Sequence, residues 1–521
     1  MPAIITEQFR VMNAETFVES LVAVGNTANT YYTFIGQPNS LNPLAGGSAS
    51  WGDGLSPVDG FEEEDSVKET IIAMKKITSE DVRRMIRKVS WTSGTTYEMY
   101  RHDYTIYNKT PVTNQPSLYN SNFYVINEDF RVYLCLQNGT DPENPKGRPS
   151  FDQPSFIDLE PRPAGTSGDG YIWKYLFTIK PSEIVKFDSI EFIPVPNKWG
   201  ETGESISTKN NASEGKVEII TITDRGIGYQ PISKSFTNIP ILGDGEGGKA
   251  TITVDSFGKV SEVFVTDGGS GYTKGIIKFE PGAPGIPADL SNDREIAEFD
   301  VIIPPKGGHG HNIYRELGAY RVLVYSRYIT DETNPDIILG NDFARVGIIK
   351  DPTVFGSETE KLSTGEVSAL NSLKLSGVTT QTTYPVDSVI TQTIGAGVTA
   401  IGFVAAWDDT TGVLKYYQSV GLATEGVGYK LNSFTSTPTT GGSHTIECPK
   451  IVGPALSIDT QFTGLSTVIN SRTYQLGSSF VAGISSAEYN KKSGDIIYID
   501  NRKAIPRSSS QKEDIKIVLE F

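Results

Sequence analysis

Few side chains in this 521-residue sequence stand at spacings that do chemistry. The segment Gly307 to Asn312, GGHGHN, holds two of the four histidines, and alternate residues of an extended segment project to one side, so His309 and His311 could face one metal ion. Two ligands do not close a site. No cysteine or further histidine lies near them in sequence, and neither zinc-ribbon spacing nor a helical HExxH is present, so the expected role is a sharp glycine-rich turn with no bound metal. Gly243 to Gly248, GDGEGG, lacks the alternating carboxylates and closing Glu of a calcium loop and reads as a surface turn. GIGYQP, from Gly226, has glycines without the GxGxxG frame that opens a helix, and no GxSxG elbow, P-loop or kinase signature occurs. Among 62 acidic side chains no spacing selects a pair for glycoside cleavage. The expectation is a protein that is not an enzyme, with no catalytic residue and no cofactor.

The informative segments are those that must fold. Gly168 to Pro181, GDGYIWKYLFTIKP, brackets Asp169 with Gly168 and Gly170, a tight turn, and continues into an aromatic strand led by Tyr171 and Trp173 that needs burial on at least one face. Ser493 to Phe521 reads as two strands around a polar loop. Ile496 and Tyr498, then Ile515, Ile517, Leu519 and Phe521, alternate with polar residues at a period of two, while Asn501, Arg502, Arg507 and Gln511 offer amides and fork-shaped donors for contacts within the subunit or to a neighbour. A third segment is duplicated: Gly215 to Tyr229, GKVEIITITDRGIGY, matches Gly258 to Tyr272, GKVSEVFVTDGGSGY, in the same frame at a spacing of 43 residues (272 − 229). Each copy reads as a strand and a turn, with Gly226 and Gly228, and Gly271 in the second copy, at positive φ, and with Tyr229 and Tyr272 closing the turns. A looser copy of the ending stands at Ala423 to Tyr429.

Helices are expected only near the start. Asn13 caps a helix over Ala14 to Leu21; Glu62 to Lys75 begins acidic and ends basic, in accord with the helix dipole; Ser79 caps a third helix over Glu80 to Lys88. From Tyr97 the pattern is of strands, with Phe123 to Ile126 and Arg131 to Leu136 forming a hairpin.

Composition agrees: 52 Gly, 29 Pro, 24 Tyr and 23 Phe favour many short strands, so the class is mainly β with a small α+β N-terminal part. The formal charge of −16 opposes binding to nucleic acid, and no apolar run is long enough for membrane insertion. The stretch MPAIITEQFRVMNAET has neither the basic start nor the apolar core of a signal peptide, which points to synthesis in a cytoplasm-like compartment. Cys135 and Cys448 are expected to be reduced thiols. The length implies several domains. Shifts toward Thr, Gly and Ser mark two insertions, so we read 1–200 as an N-terminal core, 201–297 as an inserted β domain carrying the GxGY repeats, 298–356 as a return to the core, 357–472 as a second inserted β domain and 473–521 as strands completing the core.

The segments Gly168 to Pro181 and Ser493 to Phe521, taken with Phe343 to Pro352, FARVGIIKDP, an early Phe9-Arg10, and Trp91 ahead of a tyrosine-rich stretch, resemble the dimeric baseplate wedge subunit of T-even-type contractile-tail bacteriophages. The resemblance covers roughly 1–200, 300–356 and 474–521; the insertions have no counterpart in the shorter members of that family and are similar to enlargements in marine and cyanobacterial phages. It implies a non-enzymatic virion protein of the tail baseplate, assembled in the host cytoplasm, that pairs as a homodimer, links other wedge proteins, and moves with the baseplate on contraction. The competing reading is a receptor- or glycan-binding tail protein whose repeat tyrosines are exposed and stack on sugars. A tail-associated hydrolase is a third.

Overall fold

The computed structural model describes residues 6–23, 28–36, 61–201, 203–329, 345–379, 381–418, 432–501 and 512–521, and in residues 61–63, 66 and 501 the backbone alone. Phe343 and Ala344, the 423–429 copy, Arg502, Arg507 and Gln511, and the side chain of Asn501, lie outside the described residues. Strands hold 42% of the chain and helices 10%, which makes the protein mainly β. The chain forms two compact units, one of Met1–Val18, Arg83–Leu323 and Ile517–Phe521, the other of Glu19–Val82 and Val324–Lys516.

A helix, Glu7–Val22, begins in the first unit and ends in the second, and is longer than the expected Ala14 to Leu21. Val11, Ala14, Val18 and Leu21 are all buried, so one apolar stripe runs through the whole element. The cap is Thr6, whose hydroxyl accepts from the Phe9 amide at 3.3 Å; Asn13 sits mid-helix, and Phe9 and Arg10 belong to the first turns instead of preceding them. Around this helix the core is aromatic. Tyr124–Ile126, Arg131–Asn138 and Tyr171–Thr178 form an antiparallel sheet with the middle segment central, and Tyr97, Phe123, Tyr133, Trp173, Tyr175 and Phe177 fill its interior.

The expected helix over Glu80 to Lys88 is a strand, Val82–Arg87, preceded by a turn in which Thr78 Oγ1 donates to Asp81 at 2.6 Å. Its sequence, VRRMIR, puts Val82, Met85 and Ile86 at helical spacing, yet the arginines are enclosed as well. Arg83 pairs with Glu183 at 2.9 Å, and Arg84 lies over the Tyr314 ring at 3.2 Å. Partners remote in sequence neutralise charges that would otherwise face solvent, so both faces of a strand can be covered.

Within the same unit, residues from Val217 to Ile303 enclose their own core, including Tyr229, Phe236, Ile252, Tyr272 and Phe279. The sheet Lys234–Pro240, Lys249–Val254, Val260–Asp267 and the pair Ile219–Asp224 with Glu298–Ile302 surround it. Ion pairs join this part to the aromatic sheet: Lys174 to Glu218 at 2.9 Å with both side chains at most 9% exposed, Arg101 to Asp300 at 3.0 Å, and Arg225 to Glu143 at 2.8 Å.

In the second unit the expected helix of Glu62 to Lys75 covers only Phe61–Thr70; Ile71–Lys76 is a strand because Ile71, Ile72, Ala73 and Met74 are all buried, which a helix with one apolar face could not do. The antiparallel sheet runs Glu366–Ser368, Ile71–Lys76, Tyr31–Gly36, Arg345–Lys350, Asp495–Asn501. A second core, from Leu373 to Ile458, is built on Asn371–Ser376, Val389–Gly395, Val398–Asp408 and Val413–Tyr417. Both cysteines are buried free thiols.

Two substitutions test these packings. Lys174→Met strands the Glu218 carboxylate in a dry environment and is expected to lower stability by about 3 kcal/mol, and the double change with Glu218→Leu to recover most of it, read from denaturant melts. Arg10 stacks on Tyr320 at 3.8 Å, bonds Glu520 at 2.6 Å and donates to the Phe521 carbonyl, while Phe521 packs on Phe17 with ring centroids 5.1 Å apart. Arg10→Ala should cost about 1 kcal/mol, measured in the same way.

Candidate functional site

The GDGY segment is a folding device. Gly168 and Gly170 take φ of 71° and 84°, and a Cβ on Gly170 would stand 2.7 Å from the Gly139 Cα, so the two backbones touch only because neither bears a side chain. Asp169 closes the turn, accepting from the Tyr171 amide at 3.1 Å and the Phe151 amide at 2.9 Å. Tyr171 stacks on Trp173 with centroids 5.3 Å apart, and Tyr97 meets Trp173 edge-on at 5.8 Å. The Tyr171 hydroxyl donates to the Arg148 carbonyl at 2.7 Å and accepts from the Tyr97 amide at 2.9 Å; burial pushes this phenol far above its ordinary pKa. These rings hold loops in place, and none is presented to a ligand.

The two repeat copies lie against each other reciprocally. The Tyr229 amide donates to the Gly258 carbonyl at 3.0 Å, and the Tyr272 amide to the Gly215 carbonyl at 3.3 Å; Val217 donates to Gly268 and Val260 to Arg225, each at 2.9 Å. The start of either copy therefore docks on the glycine turn of the other, in matching frames. Gly226 and Gly228 have φ of 57° and 97°, and Gly269 and Gly271 have 60° and 75°. Both closing tyrosines are interior. Tyr229 is 0% and Tyr272 3% exposed, and each hydroxyl bridges two backbone groups: Tyr229 donates to Phe279 and accepts from Ala297, Tyr272 donates to Ile241 and accepts from Gly248. The expectation of exposed repeat tyrosines that stack on sugars is corrected: the rings close apolar cores, and their polar ends are consumed by carbonyls and amides.

In the string Gly243 to Gly248, expected to be a surface turn, Asp244 accepts from the Thr273 and Lys274 amides at 3.0 and 3.1 Å. Chiefly the Thr273 hydroxyl, and then these amides, hold its carboxyl well below the usual range. In GGHGHN, Gly307, Gly308 and Gly310 all sit near φ of 90°. The two imidazoles differ in burial, so they do not form the shared metal-facing pair that alternation would allow. His309 is buried, with Nδ1 2.6 Å from Glu316 Oε1 and its ring edge-on to Tyr100 at 4.6 Å, whereas His311 is exposed. The geometry could have been foreseen only from Glu316, seven residues on, whose other oxygen accepts from the Gly310 amide at 2.8 Å. Among the described residues no group of three or more His, Cys, Asp and Glu side chains gathers as metal ligands.

At the C-terminal strands, Ile515 and Ile517 are buried while Lys516 and Val518 are exposed, the alternation read from the sequence. Tyr498 is half-buried, opposite Ile348 in the antiparallel pair. The structure does not gather the sequence-identified residues into one site: Gly168 to Trp173 and the repeat residues belong to the first unit, and Tyr498 to the second.

Removing one hydroxyl isolates its contribution. Tyr229→Phe leaves the Phe279 carbonyl and Ala297 amide without a buried partner and is expected to cost about 2 kcal/mol. Both Gly228→Val and Gly271→Val add backbone strain on the order of 1 kcal/mol. Gly228→Val should be the more damaging, because its Cβ would fall 2.9 Å from Asp293 Oδ1 while Gly271 faces open space to 4.0 Å. Hydrogen exchange should show the loss confined to residues 217–303; equal loss of protection in the second unit would refute local packing.

No protein-family model matches this chain, and no curated protein matches it in sequence.

Proposed function

We propose that the protein is a non-enzymatic structural subunit of a contractile-tail baseplate wedge, acting as a homodimer that links other wedge proteins and shifts with them on contraction. What carries the reading is the use made of the residues that bear the resemblance: in Gly168 to Thr178 the turn glycines, Asp169, Tyr171 and Trp173 are spent on packing and on backbone hydrogen bonds, as a scaffold requires. A second feature is in keeping with assembly. The hairpin Gly464–Ile469 with Arg472–Phe480 exposes Leu465 at 59% and Val468 at 68%. From Thr460 to Ala487 the single charged side chain is Arg472, and proline is absent. Sheet elements open to solvent are ordinarily guarded by lysines, prolines or bulges. This hairpin has a register shift between Gly464 and Ser466 and the single charge of Arg472 as its guards, and its exposed apolar residues suit a surface that another polypeptide covers.

Light scattering on the purified chain should return a mass near twice 56.7 kDa, that is 113.4 kDa, and peptide mass spectrometry of purified tails should recover the protein. A monomer that is absent from phage particles would sink the reading. Leu465→Lys combined with Val468→Lys, both at exposed positions, should change stability by less than about 0.5 kcal/mol yet reduce incorporation into tails.

A further inference from the structure

The edges of the sheets differ in how they are guarded. Of the described strands of five or more residues that lie at a sheet edge, Val389–Gly395 and Gly464–Ile469 alone carry no charged side chain. The first is covered: the Thr391 amide donates to the Glu447 carbonyl at 2.9 Å, and the Thr393 and Ile394 carbonyls accept from the Ser443 and Thr439 amides at 2.8 and 2.9 Å. The second is open. It pairs only with Arg472–Phe480 among the described residues, and none of its own residues is buried. Its partner strand is anchored, because Leu476 and Phe480 pack with Val413 and Phe462. A two-stranded sheet is marginal in water by itself, so a further strand would complete this one.

The turn fixes which backbone groups face outward. Asn470 and Ser471, at φ of 49° and 63°, make a two-residue connection that sets Ile469 opposite Arg472 as a hydrogen-bonded pair. Counting back from that pair, the amides and carbonyls of Ile469 and Thr467 point to Arg472–Phe480, and those of Val468 and Ser466 point away from it. The register shift falls between Gly464 and Ser466, ahead of these residues. An incoming antiparallel strand therefore meets Ser466 and Val468 ready to exchange hydrogen bonds. When that strand is the same segment of a second copy, related by a two-fold axis at Thr467, Ser466 of each copy pairs with Val468 of the other. Thr467 then faces its own counterpart, and Leu465 lies across from the second copy's Ile469, an apolar cross-strand pair repeated on both sides of the axis.

We propose that Gly464–Ile469 is the surface through which two copies of this chain join, edge to edge and antiparallel about Thr467, so that two hairpins become one four-stranded sheet. A second copy follows from charge. Two-fold pairing lays residues near the axis against their own counterparts, and any charge there opposes itself. On a chain of net charge −16, an uncharged open edge is where that cost vanishes. Other edge strands would incur it, with Asp495 and Asp500 in Asp495–Asn501 and Glu262 and Asp267 in Val260–Asp267. The assignment rests on the homodimer reading and specifies where the copies meet.

The test is sedimentation velocity over a range of concentrations on the full chain carrying Thr467→Lys or Thr467→Glu, each alone and the two mixed in equal amounts. Each variant alone should dimerise at least about tenfold more weakly than the unaltered chain, because like charges face across the axis, and the mixture should regain association. Thr467→Cys should form an intermolecular disulfide on mild oxidation, since a non-hydrogen-bonded antiparallel pair brings Cα atoms to about 4.5 Å, within disulfide range. Thr473→Cys, on the neighbouring strand, should not. A dimer that persists in both charge variants, a mixture that stays monomeric, or absence of the Thr467→Cys disulfide overturns the proposed surface; a dimer of the unaltered chain then leaves the homodimer reading in place. An unaltered chain that is monomeric at every concentration overturns both.

Discussion

Irregular connections between short strands bring peptide carbonyls into the interior, and in this protein buried tyrosines supply their donors. Tyr124 donates to Arg87, Tyr133 to Phe156, Tyr171 to Arg148, Tyr314 to Pro196, Tyr384 to Ile446 and Tyr32 to Thr364, all at 2.7–3.0 Å. Each ring fills core volume while its oxygen satisfies a carbonyl in an irregular connection or, for Arg87 and Ile446, at the end of a strand. An unpaired buried carbonyl costs about 1–3 kcal/mol, so a dozen loops left to themselves would outweigh the net stability of a domain. The 24 tyrosines are in this sense the counterpart of the 52 glycines: one residue type lets the chain turn, the other holds the turn where it was made.

The same arrangement recurs where the repeats meet, and it is why the duplicated segment gives a core instead of a binding surface. Tyr384 repeats the two-sided pattern in the second unit, donating to Ile446 and accepting from the Leu456 amide at 2.9 Å. Hydroxyls committed on both sides are unavailable to a ligand, and sequence alone does not show which tyrosine oxygens are so committed.

How far the sequence could be read follows from this. The hairpin around Asn127 to Phe130, the aromatic strand from Tyr171, the positive φ of Gly226, Gly228 and Gly271 and the alternation at Ile515 and Ile517 depend on neighbours in the chain, and these were legible. The strand at Val82–Arg87 was not. Its helical spacing was real, but Glu183 and Tyr314, remote in sequence, made buried arginines tolerable and removed the reason for an exposed face. The long first helix was mistaken for a shorter one because Asn13 is a good cap residue, although Thr6 does the capping. Nor was the inward seating of His309 visible, since it depends on Glu316, seven residues on.

Reciprocal docking of the duplicated segments means that neither half is a finished object. Each leaves open the contour that its twin completes, like two hooks closed on one another. A chain holding a single copy would lack the backbone partners that the other supplies, so the two copies stand or fall as one unit. Force applied along the chain would open both hooks together, giving one extension step where two independent modules would give two.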